Sequence, residues 1–308
     1  MAKALKIACV GEAMVELSLQ DVPGSGQAGV AGDTLNAAIY LRRALPEPHR
    51  VSYVTVLGSD PLSDQIVAFI NSEDIATDTV RRDCKRLPGI YAVTTDEAGE
   101  RSFLYWRENS AARTLFQNDN GLSFDVLEGF DIVYLSAITL AILPANVRAA
   151  LFDWIGLFRA RGGKFAFDSN YRPRLWQSPD EARQCIDQAW RLCDIAFPSL
   201  DDELALFGEA DETAVLARFR AYGIPEGTLK RAAQGPVPLT AQTDTTLTFA
   251  PATRVVDTTA AGDSFVGAFL ACHLLGGTLA EALTAGHSCA VSVVGHKGAI
   301  VSRDLMLT

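Results

Sequence analysis

Asp263 is preceded by three small residues, Ala260-Ala261-Gly262, and followed by Ser264 and Phe265. From Gly262 onward Phe265, Val266, Phe269 and Leu270 recur at helical spacing, and the β-branched pair Val255-Val256 upstream reads as the end of a strand. A strand, tight turn and helix start at one point would aim unpaired amides and the positive end of a helix dipole at a bound phosphate. A carboxylate standing there can take the proton of a substrate hydroxyl while the amides hold the phosphoryl group it attacks. A helix-capping aspartate on a closely packed junction would show the same spacing. An alanine at position 260 is tolerated only if the backbone avoids positive φ.

Two further clusters carry polar chemistry. Asp168-Ser169-Asn170-Tyr171-Arg172-Pro173-Arg174 begins where an inner strand is expected to end, which favours a ligand site over a solvated turn. Arg172 has the planar fork that suits a carboxylate or phosphate, whereas Arg174 equally fits a surface charge. Asp201-Asp202-Glu203 stand at a helix start, where dipole compensation alone explains them. The four histidines, His49, His273, His287 and His296, lack metal-ligand spacing, and no Walker loop or dinucleotide fingerprint is present.

The elements that must position these groups alternate between strand and helix, the mark of a parallel α/β sheet. Strands are expected at Ile7–Val10, Val51–Leu57, Ile132–Leu135, Lys164–Phe167, Ile195–Phe197 and Thr228–Lys230. Helices are expected near Leu62–Ile70, Pro144–Arg161, Pro179–Arg191, Leu200–Phe207, Glu212–Tyr222, Gly262–Leu275 and Leu279–Val294. Another follows Gly32, capped by Asp33 or Thr34, with Leu35, Ala38, Ile39 and Leu41 on its apolar face and Asn36 one turn in. Residues 12–30 read as short strands leaving the main body. Tyr91–Thr95 and Arg101–Arg107 read as a hairpin around Asp96–Glu100, with Phe103, Tyr105 and Arg107 on one face of its second arm. That face suits a lid over a polar ligand and a subunit contact equally well.

The 308 residues carry a net charge of −10, with 48% apolar and 21% charged side chains. That balance is globular, and the acidity argues against nucleic-acid binding while leaving room for arginines in a pocket for a small anion. No run is long enough to span a bilayer, and the six scattered cysteines read as reduced, buried thiols, so a cytoplasmic protein is expected.

The run Asp257-Thr258-Thr259-Ala260-Ala261-Gly262-Asp263-Ser264-Phe265 closely resembles the C-terminal signature of the ribokinase-like (PfkB) carbohydrate kinases, in which many relatives carry glycine at position 260. Gly32-Asp33-Thr34-Leu35-Asn36, Leu87-Pro88-Gly89-Ile90-Tyr91, Gly99-Glu100-Arg101-Ser102-Phe103, Tyr105-Trp106-Arg107 and Asn170–Trp176 resemble the 2-keto-3-deoxygluconate kinases within that family. The resemblance implies a three-layer ribokinase-like α/β fold with a mostly parallel central sheet and a small β lid. It is a single domain over 1–308, with lid segments at about 12–31 and 88–110. It further implies transfer of phosphate from ATP to the 6-hydroxyl of the sugar acid, with Asp263 as base and the amides of Ala260, Ala261, Gly262 and Asp263 as anion hole.

By the same resemblance Gly32 and Asn36 hold the sugar chain, and Tyr91, Tyr105, Arg107 and Arg172 close around it and its carboxylate. Asn170, Arg172, Lys230, Gly235 and His287, with Ala260 to Gly262, line the nucleotide site. Mg²⁺ is expected on the phosphates, reached through water by Asp202, where relatives carry Asn-x-x-Glu and this chain has Ser199 and Asp202. A monovalent cation near Asp257, known in the wider family, is left open, and association through the lid into a homo-oligomer is expected. The alternatives are a kinase of another sugar or sugar acid (fructokinase-like) and a sugar-binding regulatory protein on the same scaffold.

Overall fold

A computed structural model describes residues 3–19, 25–95, 101–240 and 247–305. Strand β1 (Lys6–Val10) is buried from Ile7 on. At Gly11 the chain leaves for β2 (Met14–Leu19), which pairs antiparallel with β3 (Gly26–Ala31). Helix α1 (Asp33–Ala44) follows at once and buries Leu35, Ala38, Ile39 and Leu41, the apolar face its spacing predicts.

The single strand expected over 51–57 is broken at Thr55 into β4 (Arg50–Val54) and β5 (Val56–Gly58). The break has a cause in partners. β4 pairs with β1, whereas β5 pairs, across the helix α2 (Pro61–Ser72), with β6 (Arg81–Asp83). Strands β7 (Gly89–Thr95) and β8 (Arg101–Trp106) are antiparallel with Tyr91 opposite Tyr105, as the hairpin reading requires. The turn expected over Asp96–Glu100 lies outside the described residues. Because β7 also runs beside β2, a four-stranded sheet of order β3-β2-β7-β8 stands apart from the main one.

After a small ribbon, β9 (Gln117–Asn118) and β10 (Gly121–Leu122), the chain alternates as expected. It runs through β11 (Ile132–Ser136), α3 (Ala137–Ile142), α4 (Ala145–Ala160), β12 (Lys164–Asp168), α5 (Pro179–Leu192), β13 (Ile195–Phe197), α6 (Leu200–Phe207) and α7 (Glu212–Tyr222). Then come β14 (Glu226–Leu229), the short β15 (Val237–Pro238), α8 (Ala261–Leu274) and α9 (Leu279–Val294). Only α3 among these helices has no counterpart in the sequence reading. All six of its residues are buried, so no polar face marks it.

The main sheet has seven strands in the order β15-β14-β13-β12-β11-β1-β4, parallel except for β15. Period-two alternation sends Val133 and Leu135 to a core shared with Val147, Leu151 and Ile186, and Ile132 and Tyr134 to the core under α1, α8 and α9. Strand order reverses at β1, between β4 and β11, so the carboxyl ends of β1 and β11 border a crevice. All six cysteines are free. Cys9, Cys185 and Cys193 are buried as expected, but Cys84 is exposed. Among the described residues no helix is long and apolar enough to cross a membrane.

The expected strand end at Val255-Val256 is not formed. The amides of Val256 and Asp257 instead donate to the Val294 carbonyl at the end of α9, at 2.7 and 3.2 Å, and Val255 is 63% exposed. β-Branching signalled a strand that has no pairing neighbour among the described residues.

Helices α1 and α8 are brought together by Gly267. A Cβ on it would lie 2.6 Å from the Ala37 carbonyl oxygen and 2.7 Å from the Leu41 nitrogen. Backbone atoms cannot yield as a side-chain tip can. Gly267→Ala is therefore expected to lower stability by about 1–3 kcal/mol, read as a lower midpoint in urea. An unchanged midpoint would mean the two helices separate freely.

Candidate active site

Helix α8 opens on Ala260, whose φ of 60° and ψ of 13° are left-handed. The expectation of a negative φ there is overturned: the turn from residue 257 into the helix requires the left-handed step, and Ala260 bears a cost of about 1–2 kcal/mol that glycine would avoid. The Ala261 amide turns back to the Thr258 carbonyl at 3.3 Å. Gly262 and Asp263 lie in the first turn, where amides lack intrahelical acceptors. Lys230 reaches the same spot, since a Cβ on Gly262 would stand 3.5 Å from its Nζ. That ammonium also lies 2.7 Å from both oxygens of Asp168.

Asp263 does not cap the helix. Its Oδ2 accepts from Asn36 Nδ2 at 2.8 Å, across the α1–α8 contact. Asn36 is buried rather than a surface residue, and its Oδ1 has no partner. The carboxyl of Asp263 is pushed up to about 7, first by loss of solvation and next by the charge of Asp33, against the pull of the Asn36 hydrogen bond. Asp33 caps nothing either: α1 is preceded by Gly32 without a side-chain cap, and Thr34 Oγ1 is 3.1 Å from the Tyr53 hydroxyl. Asp33 Oδ2 instead accepts from Ser136 Oγ and, at 2.9 Å, from Asn170 Nδ2. Gly32 is needed for a close approach, because its Cβ would lie 2.3 Å from the Glu12 carbonyl oxygen.

Beside this cluster lies a cavity of about 480 Å³ whose walls include Lys230, Ala232, Gly262, Phe265, His287 and Val291. Ala232, like Ala260, is left-handed, with φ 47°. His287 lines the cavity with its Nε2 2.8 Å from the Ala250 carbonyl oxygen and its ring centroid 4.9 Å from that of Phe249. Gly235, Asn170, Arg172 and Ala260 are not among the wall residues. Gly235 packs on Phe249, which a Cβ would approach to 2.7 Å. Arg172 projects beyond β12, donates to the Tyr171 carbonyl at 2.9 Å and lies 3.9 Å from Asp202. Asp202 accepts from Ser169 Oγ at 3.1 Å and the Tyr171 amide at 3.2 Å. Both oxygens of Asp257 are engaged, by Thr259 and by the Gly298 amide at 2.6 Å.

On the separate sheet the rings of Tyr91, Phe103 and Tyr105 form one cluster, with Tyr91 and Tyr105 centroids 5.7 Å apart. The Tyr91 hydroxyl donates to Glu16. Arg107 is buried against Glu12, with its Nε and the Glu12 Oε1 both lacking a partner. Sequence reasoning gave no role to Glu12 or Glu16, read Asp33 only as a helix cap, and placed Asp168 only within a polar cluster at a strand end. A carboxylate just past a strand's carboxyl end, as at Glu12, is the signal that could have found one of them.

The profile of the pfkB family carbohydrate kinases matches residues 4–305. The 2-dehydro-3-deoxygluconokinase of Escherichia coli K12 is 40% identical over 306 residues, 98% of each chain, and that of Dickeya dadantii is 42% identical over 97% of this chain and 98% of its own. A putative ribokinase II from E. coli, solved with ATP and Mg²⁺, superposes with a TM-score of 0.82 at 22% identity, covering 96% of this chain and 94% of that one.

Because folding raises the Asp263 value above the ordinary 3.8, its neutral form is the one favoured by the fold. That contribution is whole below about pH 4 and is lost as pH rises through about 7. Asp263→Asn is therefore expected to melt higher than the unsubstituted protein at pH 8 and alike at pH 4, while losing about 10²–10⁴-fold in kcat. Equal melting temperatures at both pH values would contradict the electrostatic description.

Proposed function

The chain belongs to the pfkB family of carbohydrate kinases, and on that premise we propose that it phosphorylates 2-keto-3-deoxygluconate on its 6-hydroxyl at the expense of ATP. The observation that carries the reading is Asp263, a carboxylate of raised basicity held by Asn36 beside the first turn of α8. Curated relatives at this level of identity bear the name of that sugar-acid kinase.

Each residue then has a role. Asp263 takes the hydroxyl proton as the oxygen attacks, and Asn36 fixes the carboxylate so that its other oxygen meets the substrate. The amides of Gly262 and Asp263 and the Lys230 ammonium oppose the charge on the phosphoryl oxygens. The cavity beside them, with Ala232 and His287 in its walls, has the size and apolar lining for a nucleotide base. Among the described residues no three His, Cys, Asp or Glu side chains converge to hold a metal. The donor set fits an ion carried on phosphates and waters, with Asp202 holding one such water, and the ion's contribution is to neutralise phosphate charge.

The segments 12–31 and 88–110 act as the lid in this reading, within one domain. Arg107 with its unpartnered buried Nε, together with Tyr91 and Tyr105, receives the sugar's carboxylate, joined by Arg172 from the main body. Strand β8 is an edge strand with Leu104 54% and Trp106 59% exposed on the face opposite Tyr105. Two copies pairing along that edge would satisfy its backbone groups and set these side chains beside their counterparts on the partner.

With ATP fixed, ADP formation is expected with 2-keto-3-deoxygluconate well above gluconate, fructose and ribose. Faster turnover of fructose would replace the assignment by a neutral-ketose kinase. Arg107→Ala should raise KM for the sugar acid much more than KM for ATP, and equal effects would remove Arg107 from the sugar site. Light scattering should give the mass of two chains, reduced to one by Trp106→Lys. A monomeric unsubstituted protein would rule out the lid contact.

A further inference from the structure

We propose that Asp33 is a positioning residue that acts through Asp263: its negative charge, held one helical turn before Asn36, makes Asp263 a stronger base. The proposal rests on the reading of Asp263 as the base of the reaction. Asp33 and Asn36 are three residues apart on α1 and so share one face, the face whose Asn36 amide donates to Asp263. Asp33 is held from two other elements, by Ser136 at the end of β11 and by Asn170 just past β12. Asn170 itself has φ 23°, an uncommon value for a non-glycine residue, kept in place by the bonds around it. Upstream, the contact of Gly32 with the Glu12 carbonyl fixes where the helix begins. The Asp33 carboxylate therefore has little freedom to turn away.

What else faces Asp263 leaves this charge uncompensated. Around it stand Asp33, Asn36 and Tyr40 from α1, Tyr134 from β11, Asp168 from β12 and Lys230 after β14. Lys230 is the one cation of that set, and its ammonium is shared between both oxygens of Asp168. Among the described residues no basic side chain pairs with Asp33. Two carboxylates on one small site cannot both ionise freely, and the one with fewer donors gains proton affinity: Asp263 accepts from Asn36, whereas Asp33 accepts from both Ser136 and Asn170. Loss of solvation is the larger cause of the raised Asp263 value and Asp33 is the next. The chemical return is that a base which holds a proton near neutral pH is both ionised enough to accept one and strong enough to pull it from an alcohol.

The test is Asp33→Asn, which keeps the shape and removes the charge, with Asp33→Glu restoring it. In ligand-free protein labelled at the aspartate carboxyl carbons, the NMR titration of Asp263, assigned with Asp263→Asn, should have its midpoint near neutral pH. It should fall by roughly one pH unit in Asp33→Asn and return in Asp33→Glu. The acid limb of kcat/KM for the sugar acid should move in the same direction, with a lower kcat on the plateau. A fallen kcat with an unmoved midpoint would overturn the proposal and leave Asp33 as a substrate contact. A midpoint in the ordinary aspartate range in the unsubstituted protein would overturn it as well. Should Asp33→Asn not fold, Asp33→Ser carries the same titration. If no sugar acid is turned over, the substrate assignment fails while the titration still decides the role of Asp33.

Discussion

A single hydrogen bond, Asn36 Nδ2 to Asp263 Oδ2, ties the first turns of two helices that are 227 residues apart in the chain. It forms only because α1 and α8 approach to backbone contact at Gly267, and because both helices start at the same edge of the sheet. Everything the site does depends on that alignment. Move α8 outward and Asp263 loses Asn36, the first-turn amides lose Lys230, and the wall of the neighbouring cavity opens.

The alignment is costly, and the cost is concentrated where the chemistry is. Asp33, Asp168 and Asp263 lie close together while Lys230 is taken by Asp168, and burial raises both Asp168 and Asp263 above their ordinary value. Ala260 and Ala232, in the same region, both take left-handed conformations that alanine resists. Under the separate sheet, Glu12 and Arg107 are buried together, each with a polar atom left unpaired. These features weaken the fold locally and become useful once an anion and an alcohol arrive. In the proposed reaction a phosphoryl group would take up the charge of Lys230, and a sugar carboxylate would engage the Nε of Arg107. Strain stored at a site and relieved by its ligands is a form of preorganisation.

The layered α/β architecture was legible because each inner strand is a short apolar run bounded by helices with readable ends. Ser178 before Pro179 and Thr278 with Glu281 are two such ends, and both side chains cap their helices. Asp263 and Asn36 were legible as letters of a motif, but that one holds the other was not, since nothing local in a sequence reports a contact 227 residues away. The errors share that origin. Val255 and Val256 have strand propensity without a neighbour, Thr55 sits where two strands choose different partners, and α3 lacks a polar face because it is buried all round. Asp33 looked like a helix cap by position, and only Ser136 and Asn170, brought in by other elements, give it another role.

The account stands or falls on Asn36 and Asp263 acting as one unit, which a double-mutant cycle on kcat measures directly. The account predicts that Asn36→Ala slows the unsubstituted enzyme strongly but adds little to Asp263→Asn, because an orienting partner is useless once the base is gone. Losses that multiply in the double variant would contradict it, and would show that the two side chains serve the reaction separately.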